Sequence, residues 1–135
     1  MFMMKNKNFL IFCLLLLTGC DFVDNRLVIN NSSNSNIYVA FSEDSILTLN
    51  GNRTFIMSDE FIKAYSKKNI INNEGVKGWE TEIERSLNKQ LHIFILLEDT
   101  LKKYEPNEII RLKKFERRID IGVEELKANN WEVIY

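Results

Sequence analysis

The apolar positions of this chain fall into one long run and many short bursts. Phe9–Leu17 is an unbroken run of nine apolar residues, and nothing comparable follows it. Leu27-Val28-Ile29 and Ile37–Phe41 are β-rich. In the second, Ile37, Val39 and Phe41 alternate with Tyr38, Ala40 and Ser42, the period of a half-buried strand. Asn30–Asn36 between them is all Asn and Ser, residues that tolerate left-handed backbone and bond their own main chain, so the pair predicts a hairpin with a polar loop. Asn50-Gly51 predicts a turn, with a short strand after it at Arg53–Met57. Ser58-Asp59-Glu60 reads as a helix start with Phe61, Ile62 and Tyr65 as its apolar stripe. The Asn- and Gly-rich tract Asn69–Gly78 ends it.

Trp79, Ile83 and Leu87 recur every fourth residue among charges, which predicts one face of a short amphipathic helix. Leu91–Leu97, LHIFILL, is apolar at nearly every position. It predicts a central strand covered on both faces. Pro106-Asn107-Glu108 opens a helix whose Ile109, Ile110 and Leu112 face inward. The period then switches to two: Phe115, Arg117, Ile119 and Ile121 alternate with Glu116, Arg118 and Asp120. Gly122 caps a helix at Val123–Ala128, with Glu124 and Glu125 at its positive end. Trp131–Tyr135 closes the chain as a strand. The expected class is α+β, a mainly antiparallel sheet with a few short helices in one small domain.

The long run decides the address. Lys5 and Lys7 precede it and Thr18-Gly19-Cys20 follow it, the order of a secretory signal. A membrane-spanning helix needs about 20 apolar residues, so the run is too short to remain as one. Leu17-Thr18-Gly19-Cys20 resembles the lipobox of bacterial lipoprotein signal peptides. The resemblance implies that residues 1–19 are cleaved, that Cys20 carries the lipid, and that 20–25 is a linker to a domain at 26–135. Two or three acyl chains, at about 0.8 kcal/mol per buried CH₂, hold a protein on a bilayer almost permanently. Asp21 resembles the inner-membrane retention signal of enterobacterial lipoproteins. Acidic residues after the cysteine favour the cell surface in Bacteroidota. Both destinations, cell membrane and outer membrane, stay open.

Cleavage changes the chemistry left in the chain. Cys13 departs and Cys20 is consumed, so neither of the two cysteines remains for a disulfide, a metal or a nucleophile. Without Lys5 and Lys7 the 18 basic side chains fall to 16 against 19 acidic ones, a net charge of −3. That balance argues against nucleic acid or anionic lipid headgroups as partners. The 116 residues from Cys20 to Tyr135 suffice for one core.

A second resemblance covers most of the mature part. Asn30–Phe41, Trp79-Glu80, Ile93-Phe94-Ile95, Thr100-Leu101, Glu108–Arg118 and Asn130–Tyr135 follow a spacing similar to that of small Bacteroidota lipoproteins. Residues 53–78 depart most from it. The resemblance brings an address and no activity.

No catalytic constellation stands out. His92 is the only histidine, so a transition-metal cluster and a cofactor have no evident ligand set, and no nucleophile turn or phosphate-cradling glycine loop accompanies it. Glu98-Asp99 reads as solvated charge at a strand end. Lys102, Lys103, Arg111, Lys113, Lys114, Arg117 and Arg118, interleaved with acids, read as a mixed solvated face. Trp79, Trp131, Tyr38, Tyr65, Tyr104 and Tyr135 could line a sugar or peptide groove, although a core role is the stronger reading. Asp44-Ser45-Ile46 and Asp99-Thr100-Leu101 resemble the O-glycosylation triplet of Bacteroidota, which makes Ser45 and Thr100 candidate sites. The leading expectation is a membrane-tethered binding or accessory module with an envelope protein or glycan as partner. The alternatives are a small enzyme acting on glycans through paired carboxylates, and an immunity lipoprotein that neutralises a toxin.

Overall fold

A computed structural model describes residues 22–42, 44–46 and 61–135. Cys20, the residues before it and the strand expected at Arg53–Met57 lie outside the described residues. In chain order the elements are β1 (Val28–Asn31), β2 (Ile37–Ser42), β3 (Phe61–Ile62), β4 (Ser66–Asn69) and α1 (Gly78–Arg85). There follow β5 (Leu91–Leu97), α2 (Glu98–Lys103), α3 (Pro106–Arg111), β6 (Arg117–Ile121), α4 (Val123–Ala128) and β7 (Glu132–Ile134). The class is α+β, as the periodicities predict.

The strands form two sheets. The larger, in the order β3-β2-β5-β6, is antiparallel throughout. The smaller, β4-β1-β7, pairs β1 antiparallel with β4 and parallel with β7. β5 is the central strand that its composition predicts. Its Leu91, Ile93 and Ile95 join Leu27, Ile29, Ile37, Val39, Ile83, Leu126 and Val133 in the main core. Its Phe94 and Leu96 point the other way, into a second core with Ala40 and Ile109. The smaller sheet, α1 and α4 thus cover one face of the larger sheet, and α3 covers the other.

The expected hairpin does not form: β1 and β2 lie in different sheets. Leu27 and Ile29 meet Ile37 and Val39 across the core rather than beside one another. The polar loop is an arch built on Asn31, which is fully buried. Its Nδ2 donates to the carbonyls of Ser35 (2.8 Å) and Lys63 (3.0 Å). Its Oδ1 accepts from the N–H (3.1 Å) and hydroxyl (2.7 Å) of Ser33.

The helix expected around Phe61–Tyr65 is also corrected. Phe61 and Ile62 form β3 against Tyr38 and Ile37, and the Tyr38 and Phe61 rings lie 5.1 Å apart. Tyr65, at φ 53°, makes the turn into β4. Three apolar residues are too weak a helical stripe to resist a partner strand. This step between sheets docks on the first arch, because Ala64 N–H donates to Asn36 Oδ1 (3.0 Å) and Tyr65 N–H to Ser33 O (3.1 Å).

Three smaller expectations shift for local reasons. Leu87 is 91% exposed because α1 stops at Arg85. The hydroxyl of Ser86, buried, donates to Ile83 O and accepts from Gln90 N–H, replacing the helical pattern. Leu112 is exposed, since α3 stops at Arg111 and Leu112 is only its C-cap, whereas Ile109 is fully buried. Phe115 faces Phe94 in the second core, opposite to Ile119 and Ile121. Glu116 N–H bonds Ile95 O although Ile95 stands opposite Arg117, so two residues share one partner and the phase slips.

Two helices end in the same hydrogen-bonded motif. After α3, Lys113 N–H reaches Ile110 O and Lys114 N–H reaches Ile109 O; after α4, Asn130 and Trp131 repeat this toward Lys127 and Leu126. The first motif places Lys113 in left-handed backbone at φ 51°, and the second places both Asn130 at φ 52° and Trp131 at φ 62° there.

Asn31→Ala should lower stability by about 2 kcal/mol, because it removes the hydrogen bonds of a buried amide, while the Ser33 and Ser66 hydroxyls still reach the Ser35 and Lys63 carbonyls. The measurement is a fall in the urea midpoint at unchanged slope. Lys113→Gly should raise stability by about 0.5 kcal/mol, the relief of a left-handed Cβ outweighing the added freedom of the unfolded chain.

Candidate functional site

Three places bring polar or reactive groups together, and two of them are saturated. The first is built on Arg26, just before β1. Its guanidinium bonds both oxygens of Asp24 (2.9 and 2.7 Å) and both oxygens of Glu80 on α1, and it lies 4.0 Å over the Trp131 ring. Asp24 is 1% exposed and also accepts from the Trp79 N–H (3.1 Å). Burial pushes its carboxyl up, but the hydrogen bonds from Arg26 and Trp79 outweigh burial and hold it below the usual range. The Arg26 hydrogen bond does the same for Glu80, and Arg26 is raised in turn. Every charge here faces a partner, so the cluster clamps the start of the fold. The packed structure therefore begins at Asp24, inside the stretch 20–25 read as linker.

The second place is the row Ser42, His92, Asp120, which the register sets side by side on three strands. His92 Nδ1 lies 2.7 Å from Asp120 Oδ1 and Nε2 lies 3.2 Å from Asn88 Oδ1. Burial raises the Asp120 carboxyl, and the bonds from His92 and Arg118 reverse that and leave it lowered. A nucleophile would need the free ring nitrogen, but Asn88 occupies it. The Ser42 hydroxyl is committed to Ile46 O (3.2 Å) and the Asp44 N–H (3.1 Å). The row resembles a triad in residue type only.

The third place is open. β6 ends the larger sheet and β7 the smaller one, and among the described residues each has a neighbour on one side only. Between these edges runs a groove of about 450 Å³. Ile119 and Ile121 of β6 and Val133 and Ile134 of β7 supply its apolar lining, with Arg117, Glu125 and Glu132 as its charges. Ile134 is 61% exposed. Edge strands keep unpaired N–H and C=O groups, the template for a further strand.

Glu125 and Glu132 are the carboxylates the groove brings together. Glu132 accepts from Lys67 Nζ (2.7 Å) and Asn30 Nδ2 (2.7 Å), which hold it below the usual range. A glycosidic general acid must keep its proton near neutrality, and Glu132 is shifted in the opposite direction.

The residues singled out from sequence do not converge. Ser45 is exposed, beside Arg118, whose Nη1 donates to Ser45 O (3.0 Å); Thr100 is half-buried inside α2. Cys20 is outside the described residues. Glu98 opens α2 and accepts from Asn36 Nδ2 (2.9 Å). Lys103 and Lys114 flank the Tyr104 ring at 5.3 and 4.3 Å. Trp79 and Trp131 are core residues. Among the described residues no three His, Cys, Asp or Glu converge to hold a metal ion, and no helix is long and apolar enough to cross a membrane. Sequence reading missed Ile134 and the two edges; the alternation Glu132-Val133-Ile134 marks a strand but not its lack of a second neighbour.

Arg26→Ala should cost about 2–3 kcal/mol at neutral pH, since it leaves buried Asp24 charged and uncompensated; the exposed edge of Arg26 keeps the loss at the low end for such pairs. Asp24 and Glu80 have lowered values in the fold, so their contribution is present above the ordinary carboxylate range and lost as pH falls through the folded values. The deficit of the variant should therefore shrink below about pH 4, read from urea melts across pH.

No protein-family model, no curated protein and no solved structure matches this chain.

Proposed function

We propose that this protein is a lipid-anchored module of a bacterial cell envelope that acts by binding an extended segment of another envelope protein. The anchor rests on Leu17-Thr18-Gly19-Cys20 behind a positive and an apolar region, with Cys20 as the lipidated residue. The observation that carries the binding reading is the groove between β6 and β7, flanked by two sheet edges with a mixed apolar and polar lining. A strand laid in it would gain main-chain hydrogen bonds from an edge and place alternate side chains against Ile119, Ile121 and Val133.

Paired carboxylates acting on a glycan have less support, because Glu132 is tied to Lys67 and Asn30. Ser45 is accessible to a glycosyltransferase, and Thr100 less so.

The test is a pull-down of the lipidated protein from native membranes, beside Cys20→Ala and Ile134→Arg, with intact mass of the purified protein. The expected mass is that of residues 20–135 plus lipid, with a sugar increment only if Ser45 or Thr100 is modified. A partner near one-to-one should fall about tenfold with Ile134→Arg, a change of roughly 1.4 kcal/mol. A partner indifferent to Ile134→Arg would remove the groove from the reading, and no partner at all would remove binding.

A further inference from the structure

Four apolar side chains near the start of the described fold face solvent: Phe22 (66% exposed), Val23 (37%), Ile71 (59%) and Val76 (58%). They are distant in sequence but the fold gathers them. Asp24 and Asn72 exchange backbone hydrogen bonds in both directions, each 2.8 Å, and both side chains are buried. Side chains alternate along paired backbone. Val23 and Ile71, next to that pair, therefore point outward together. Val76 is brought to the same place by Arg26, whose Nη2 donates to Val76 O (3.3 Å) while gripping Asp24.

We propose that this patch is a membrane-docking surface, seated in the headgroup and upper acyl region of the bilayer that holds Cys20. The inference rests on the lipid-anchor reading and adds a second contact to it. Chain length supplies the argument for the occupant. Cys20 is two residues before Phe22 and four before the clamped Asp24, and a fully extended chain spans at most about 3.6 Å per residue. The lipid thus emerges within roughly 7 Å of Phe22 and 14 Å of Asp24. A folded domain of this size has a radius of gyration near 13 Å, so that tether is too short to let an opposite face reach the bilayer. The face that meets lipid is the one carrying Phe22, Val23, Ile71 and Val76.

The chemistry of the patch fits a bilayer without selecting its charge. Lys77 is the exposed cation beside Val76, while the Glu74 carboxylate pairs with Arg85. Docking is by insertion of apolar side chains, with little dependence on anionic lipid or salt.

The mature protein carries no free thiol, because lipid consumes Cys20 as a thioether, so a single introduced cysteine is the one site that takes a label. Single variants Ile71→Cys, Val76→Cys and Leu112→Cys of the lipidated protein, each carrying an environment-sensitive fluorophore, are reconstituted in phosphatidylcholine vesicles with a shallow doxyl-lipid quencher. All three positions are exposed, so labelling should not disturb the fold; Leu112 directly follows α3 on the far side of the larger sheet. Quenching at 71 and 76 should be at least twofold greater than at 112 and unchanged when anionic lipid is added. Equal quenching at all three, in protein whose mass shows lipid on Cys20, would overturn the docking surface and leave the anchor standing. Labels at 71 and 76 shielded from a soluble quencher but untouched by doxyl lipid would assign the patch to a protein contact and also overturn it. An unmodified Cys20 would remove the anchor and this inference with it.

Discussion

The fold turns on the buried side chain of Asn31. A β-strand that leaves one sheet for another gives up its ladder partners at the edge of the core, and its backbone groups there need new ones. Asn31 answers this at both crossings, by holding the Ser33–Ser35 arch and the carbonyl of Lys63 at the next crossing. Both transfers, β1 to β2 and β3 to β4, meet at this residue. With the corner fixed, Ile29 and Ile37 face one another across the core, and β5 is enclosed on both faces. An amide is suited to the place because it donates and accepts at once; a carboxylate could not donate to Ser35 and Lys63.

Charge is spent within the fold in a similar way. Asp24 and Glu80 share the Arg26 guanidinium, which lies against Trp131, and Asp120 is shared between His92 and Arg118. These pairings turn groups that look reactive in a list into supports for the chain. The groove and the N-terminal patch are left because no internal partner covers them among the described residues.

Local features were the legible ones. Seven mostly apolar residues at Leu91–Leu97 read as an enclosed strand, and Gly122 with Glu124 and Glu125 marked α4 at its true start. The hairpin misreading shows the limit: Asn and Ser serve an arch as well as a turn, and only pairing with β4, β7 and β5 decides between them. Trp79 and Ile83 announced α1, but the stop at Ser86 depended on a buried hydroxyl, so Leu87 was read as core. Asn130 carried a readable sign of a left-handed cap, which its place beside a strand-like ending hid. The groove was not legible at all, since it is made by β6 and β7, whose lack of outer neighbours among the described residues is a property of topology. Likewise Phe22 and Val23 read as linker, and Ile71 and Val76 as parts of a polar tract, until the Asp24–Asn72 bridge joined them.

The clamp and the groove are physically connected, and this bears on how an anchored binder would work. Arg26 lies on Trp131, and Trp131 is preceded by Asn129 and Asn130 and followed by Glu132, all lining the groove. β1 and β7 run parallel, one leaving Arg26 and the other leaving Trp131. The free edge of β7 therefore starts at the clamped end and leads away from it. On the anchored reading, a segment paired along that edge lies with one end at the bilayer and the other directed outward. A short tether would then do more than retain the protein. It would present the edge in a fixed orientation, so that an envelope partner meets it by lateral diffusion rather than by rotation in solution, with less orientational freedom left to lose on binding.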